Sequence, residues 1–81
     1  MWDPSGIAHI WRHHVEYRQV EEACAGSPFV LRARGGLYHV LGQTENGRYL
    51  YVLARSLGGG KARCVTAREM TSAERRRFER R

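Results

Sequence analysis

The feature that most constrains this chain is a change of hydrophobic period at Phe29. Before it, apolar residues recur at helical spacing; after it they alternate, and glycine-bearing turns cut the alternating stretch into strand-length pieces. Phe29, Leu31 and Ala33 face one way and Val30, Arg32 and Arg34 the other, which predicts a strand with arginines on its outer face. Gly35-Gly36 turns the chain into a second strand, Leu37 to Gln43. Glu45-Asn46-Gly47 holds the Asn-Gly pair favoured in tight hairpins and leads into the nearly continuous apolar run Tyr49 to Ala54, the expected central strand. Gly58-Gly59-Gly60 is the next turn, and Lys61 to Arg68 alternates as a fourth strand.

Helices are expected on both sides of this stretch. Asp3-Pro4 reads as an N-cap followed by proline at the first helical position, with Ile7, Ile10 and Trp11 as the apolar stripe of a short helix. Tyr17, Val20, Ala23 and Cys24 mark a second short helix, stopped at Gly26 before Ser27-Pro28. Thr71-Ser72-Ala73-Glu74 fits a capping box opening a C-terminal helix through Phe78. The fold class predicted is α+β: two short N-terminal helices, a four-stranded antiparallel meander and a C-terminal helix. With 81 residues there is material for one core, so a single domain over 1–81 is expected. No apolar run approaches the length of a membrane span and the start lacks a leader pattern, so a soluble, cytoplasmic protein without membrane partners is expected.

Charge narrows the class of ligand. Thirteen of the fourteen basic residues are arginine, and they are unevenly placed. Residues 1–26 hold two basic against four acidic side chains, whereas residues 27–81 hold twelve against four. Codon usage can favour arginine over lysine, but it does not account for that placement. Guanidinium groups grip phosphate in a planar fork, so a polyanion, RNA first, is the expected ligand.

Familiar catalytic motifs are absent. His9 and His13 have the spacing of two zinc ligands on a helix, but Ile10 stands where the base of a metalloprotease would be and no third ligand is evident. Gly58-Gly59-Gly60-Lys61 lacks the spacing of a phosphate loop and reads as a hairpin turn. Cys24 and Cys64 are far apart and read as reduced, buried residues. What remains is arginine, histidine and a few glutamates on a small sheet. Those groups suffice for metal-free RNA cleavage, which needs a base for the ribose 2′-hydroxyl, an acid for the leaving oxygen and cations for charge developing on phosphate. They suit simple binding equally well.

Three segments in order carry a resemblance. Trp2-Asp3-Pro4 with His9-Ile10-Trp11-Arg12-His13-His14-Val15, then Val40-Leu41-Gly42-Gln43-Thr44 with Gly47-Arg48-Tyr49-Leu50, then Val65-Thr66-Ala67-Arg68-Glu69-Met70-Thr71 with Glu74, Arg75 and Phe78, together resemble the BrnT toxin family over essentially the whole chain. The resemblance implies a RelE-like fold and the toxin of a type II toxin–antitoxin pair: an endoribonuclease that blocks translation, uses no cofactor, is neutralised by a BrnA-type antitoxin and meets DNA only through that antitoxin. It also implies site residues. Arg12 and His13 match the family's Lys-His pair as phosphate contact and proton-transfer group, and Arg68 matches the arginine closing the last strand, with Thr66 on the same strand face. Arg48 matches the hairpin arginine and would hold RNA, to which Arg32 and Arg34 on the first strand are added. Against these stand plainer roles: His13 capping a helix and packing on the sheet, and Arg68 bridging to Glu74. The chain departs from the family pattern at Gln43, where arginine is common, at His14 for glycine and at Glu16 for a Ser or Thr cap. A binding module of the same fold with weak catalysis is the alternative.

Overall fold

A computed structural model describes residues 15–81 and the backbone of Trp2–Asp3. In chain order the elements are β1 (Trp2–Asp3), α1 (Tyr17–Ala25), β2 (Phe29–Arg32), a 3-10 turn (Arg34–Gly36), β3 (Leu37–Gln43), β4 (Tyr49–Gly58), β5 (Lys61–Glu69) and α2 (Ser72–Glu79). The fold is α+β. The expected antiparallel meander is present as β2 to β5, with β4 central.

The sheet has one strand more than predicted, because Trp2 and Asp3 pair in parallel with Ala62 and Arg63. A two-residue parallel segment leaves no alternation to detect, which is why a four-stranded sheet was expected. Of the helices, α1 and α2 are described. The helix expected at Ile7, Ile10 and Trp11 lies outside the described residues, as do Arg12 and His13.

The helices cover opposite faces of the sheet. Val15, Val20 and Ala23 pack with Val40, Leu50, Val52, Cys64 and Ala67 into one core, all nearly inaccessible to solvent. Helix α1 comes so close to β3 that a Cβ built on Gly42 would lie 2.2 Å from the Ala23 carbonyl oxygen, a gap that no side chain fits. Helix α2 lies across the other face, where Phe78 is buried edge-on against Tyr49 with ring centroids 5.9 Å apart. Its start is the expected capping box. The Glu74 backbone N–H donates to the Thr71 hydroxyl at 3.2 Å, and the Thr71 N–H donates to the Glu74 carboxylate at 2.9 Å. At α1 the cap is Glu16, whose backbone N–H donates to the Gln19 side-chain oxygen at 3.0 Å.

Two departures from simple alternation shape the faces. Strand β2 stops at Arg32: Arg34 belongs to the 3-10 turn, where Gly35 takes φ 70° and Arg55 donates to the Gly35 carbonyl at 3.0 Å. In β5 the register slips between Leu53 and Ala54 of the partner strand, so that Leu53 faces Thr66 while Ala54 faces Cys64, and Val65 is the extra residue. Without that bulge Cys64, Thr66 and Arg68 would share a face. With it, Cys64 and Ala67 enter the α1 core, and Thr66 and Arg68 turn to the α2 side.

Candidate functional site

The register of the meander sets which side chains meet on the α2 side. Phe29 pairs with Leu41, Leu41 with Tyr51 and Tyr51 with Arg68; one step along, Leu31 pairs with His39, His39 with Leu53 and Leu53 with Thr66. Cross-strand partners share a face, so these eight residues line one surface. Helix α2 leaves part of it open as a groove of about 370 Å³ bordered by Leu31, His39, Leu41, Tyr51, Glu74 and Arg77, with Ala73 and Arg80 at its margin.

Inside the groove polar groups form a chain. His39 Nδ1 and the Tyr51 hydroxyl lie 2.7 Å apart. The Arg68 guanidinium stacks on the Tyr51 ring at 4.2 Å and holds Glu74 bidentately, with N–O distances of 2.7 and 2.9 Å. The hydrogen bond from Arg68 holds the Glu74 carboxyl below its ordinary range against the opposing effect of burial, and the same bond raises Arg68. Burial pushes the Tyr51 phenol above its usual value; Glu74 adds to this and Arg68 opposes it. Tyr51 is therefore protonated at neutral pH, and two arrangements satisfy the contact: the phenol donates to Nδ1, or Nδ1–H donates to the phenol oxygen and leaves Nε2 free to accept.

Arginines surround this chain, and they are not equivalent. The Arg77 guanidinium rests over the Phe29 ring at 5.1 Å, and neither it nor the Arg80 guanidinium meets an acceptor or a carboxylate among the described residues. Arg81 is engaged, donating to the Ser27 and Phe78 carbonyls, and Arg75 covers Tyr49 while facing Glu79. Phe29, Arg77, Arg80 and Arg81 border a second hollow that continues the first.

The residues expected from sequence divide accordingly. Arg68 and Thr66 share the groove face, and the Arg68–Glu74 bridge expected as the plainer role is present. Arg32 does not join them: it pairs with Tyr38, which packs on the α1 core, and so lies on the opposite face. Arg34 sits in the 3-10 turn. Arg48 reaches Gln19 of α1 at 2.9 Å and Glu69 at 3.4 Å, tying the hairpin to the helix away from the groove. Gln43 donates to the Gly47 carbonyl at 3.2 Å and closes the same hairpin. Arg12 and His13 lie outside the described residues. The groove's own polar pair, His39 and Tyr51, was missed. The available signal was His39 itself, a polar residue between Leu37 and Leu41 on what should be a uniformly apolar strand face.

Burial raises Cys24 to about 12, with Cys64 nearby adding to the effect, and raises Cys64 to about 11. Such thiols are poor nucleophiles and belong to the core. Among the described residues no three His, Cys, Asp or Glu side chains gather as metal ligands, and no helix is long and apolar enough to cross a membrane. Compared with models of protein families and with curated proteins, the chain matches none.

Proposed function

We propose that this chain is the RNA-cleaving toxin of a toxin–antitoxin pair: a metal-independent endoribonuclease of RelE-like fold that blocks translation and is held in check by a BrnA-type antitoxin. The observation that carries the reading is the groove between α2 and the sheet, where a phenol–imidazole pair, the Glu74 carboxylate held by Arg68 and the arginines Arg77 and Arg80 border one space. The element order of one helix, four antiparallel strands and a closing helix supports the same reading.

The chemistry follows from the parts. Arg77 and Arg80 hold a phosphodiester by charge-assisted hydrogen bonds. His39, in the tautomer whose Nδ1–H donates to the Tyr51 oxygen, takes the ribose 2′-hydroxyl proton at Nε2 and returns it to the leaving oxygen, while Tyr51 fixes its ring. Arg68, released in part from Glu74 by an incoming phosphate, meets the charge that grows on the phosphoryl oxygens. Arg12 and His13, placed by resemblance alone, would complete the phosphate contacts from the N-terminal segment.

The test is RNA cleavage in excess EDTA by the wild type and by the His39→Ala, Tyr51→Phe and Arg68→Ala variants, with His13→Ala alongside. Cleavage by the wild type, reduced about a hundredfold or more by His39→Ala, is expected. Intact RNA with the wild type overturns the enzyme reading. A second reading, a catalytically weak module that binds RNA or antitoxin, is favoured by one observation: Arg68 is already neutralised by a bidentate carboxylate. Bound but uncut RNA in the same assay selects it.

A further inference from the structure

β2 ends the sheet on the side away from β5. The hydrogen bond from the Ala33 N–H to the Leu37 carbonyl, 2.8 Å, sets the pattern of the ladder. Bonded and non-bonded pairs alternate between antiparallel strands, so Leu31/His39 and Phe29/Leu41 exchange hydrogen bonds, and Val30 and Arg32 turn their N–H and C=O groups outward. Of the protective devices common on such edges, β2 has its shortness and the charge of Arg32, but Phe29–Arg32 contains no proline or lysine and its register with β3 runs without a bulge. Val30 is 50% exposed and Leu31 39%, two of the three large apolar side chains most open to solvent among the described residues. Arg32 closes this edge, with Arg34 two residues on in the 3-10 turn, and Arg77 and Arg80 line the groove together with Leu31.

We propose that the outer edge of β2 docks an extended segment of an acidic protein partner, which adds a strand to the sheet. Main-chain hydrogen bonds to Val30 and Arg32 supply the affinity, and the side chains supply the selection. The segment sets an apolar residue against Val30 and, two positions along, a carboxylate against Arg32. A second copy of this chain is disfavoured, because it would bring Arg32 and Arg34 against another arginine-bearing edge in a molecule of formal net charge +6. Leu31 belongs to both the edge strand and the groove wall, so the added strand lies at the groove's mouth and obstructs it. Calling the partner an antitoxin rests on the proposed function; the docking does not.

A fluorescent synthetic peptide that repeats valine-threonine-glutamate-threonine, and one with lysine in place of glutamate, are titrated without RNA into the wild type, Val30→Pro and Arg32→Glu. The glutamate peptide is expected to bind the wild type, to bind each variant about tenfold more weakly or worse, and to slow hydrogen exchange at the Val30 and Arg32 amides. The lysine peptide is expected to bind neither the wild type nor Val30→Pro, and to bind Arg32→Glu, where the charge is reversed, more tightly than the wild type. Equal binding to wild type and Arg32→Glu, or amide protection elsewhere, overturns the proposal. So does self-association of the wild type that Val30→Pro abolishes, which would give the edge to a second copy. Should Val30→Pro fail to fold, Arg32→Glu and the exchange pattern decide. Peptide binding with RNA left intact sinks the nuclease reading alone; RNA cut without peptide binding sinks the docking alone.

Discussion

Gly42 carries the tightest constraint at the scale of single residues. A methyl group there would meet the Ala23 carbonyl oxygen at 2.2 Å, and neither backbone can retreat without parting α1 from β3. Gly42→Ala is expected to cost about 1–3 kcal/mol, read as a lower midpoint in urea denaturation. Glu74 makes a second prediction, in which the sign is set by its depressed pKa. A carboxyl held below its ordinary 4.5 contributes stability that is complete above that value and is lost as pH falls through the lower, folded-state value. Thermal stability should therefore drop in acid below about pH 4, and Glu74→Gln should flatten that part of the profile. The bridge was legible in sequence, because Arg68 closes a strand and Glu74 opens a helix a few residues on. The His39–Tyr51 contact was not, since twelve residues separate the pair and only the β3–β4 register brings them together.

The elements differ in how openly the sequence announced them. α2 declared itself through Thr71 and Glu74, and Thr71→Ala should lower stability by about 1 kcal/mol, measured by the same urea titration, with Ser restoring most of the loss. The β3–β4 hairpin was equally plain, since Asn46-Gly47 supplies the turn and Gly47 takes φ 91°. β2 was overextended by two residues because alternation continues through Ala33 and Arg34, while the backbone turns at Gly35. In β5 the alternation concealed a bulge. Cys64 and Ala67 are both buried although an odd number of steps separates them, and that parity change turns Thr66 and Arg68 toward α2.

For the whole molecule the governing quantity is the field of its arginines. Binding to single-stranded RNA should weaken with salt, with a linear dependence of log affinity on log salt concentration. Arg77→Ala and Arg80→Ala should each reduce the slope by about one, while Arg48→Ala, whose guanidinium is held by Gln19 and Glu69, should leave it nearly unchanged. Equal slopes for all three variants would remove the groove from the RNA path. The sequence located the basic character in residues 27–81. It could not separate arginines that point into the groove from those spent on internal ties, because that division depends on which carbonyls and carboxylates lie within reach after folding.

By itself, the sequence determined the class of fold, the turns, the cap of α2 and the sign of the charge, since each depends on a periodicity or on a backbone preference acting over a few neighbouring residues. Tertiary structure decided which polar groups meet: His39 with Tyr51 through strand register, Arg68 on the groove side through a bulge, and the open edge of β2 through sheet order. These are long-range pairings, and local preference is blind to them because a single step of register moves every side chain of a strand to the other face.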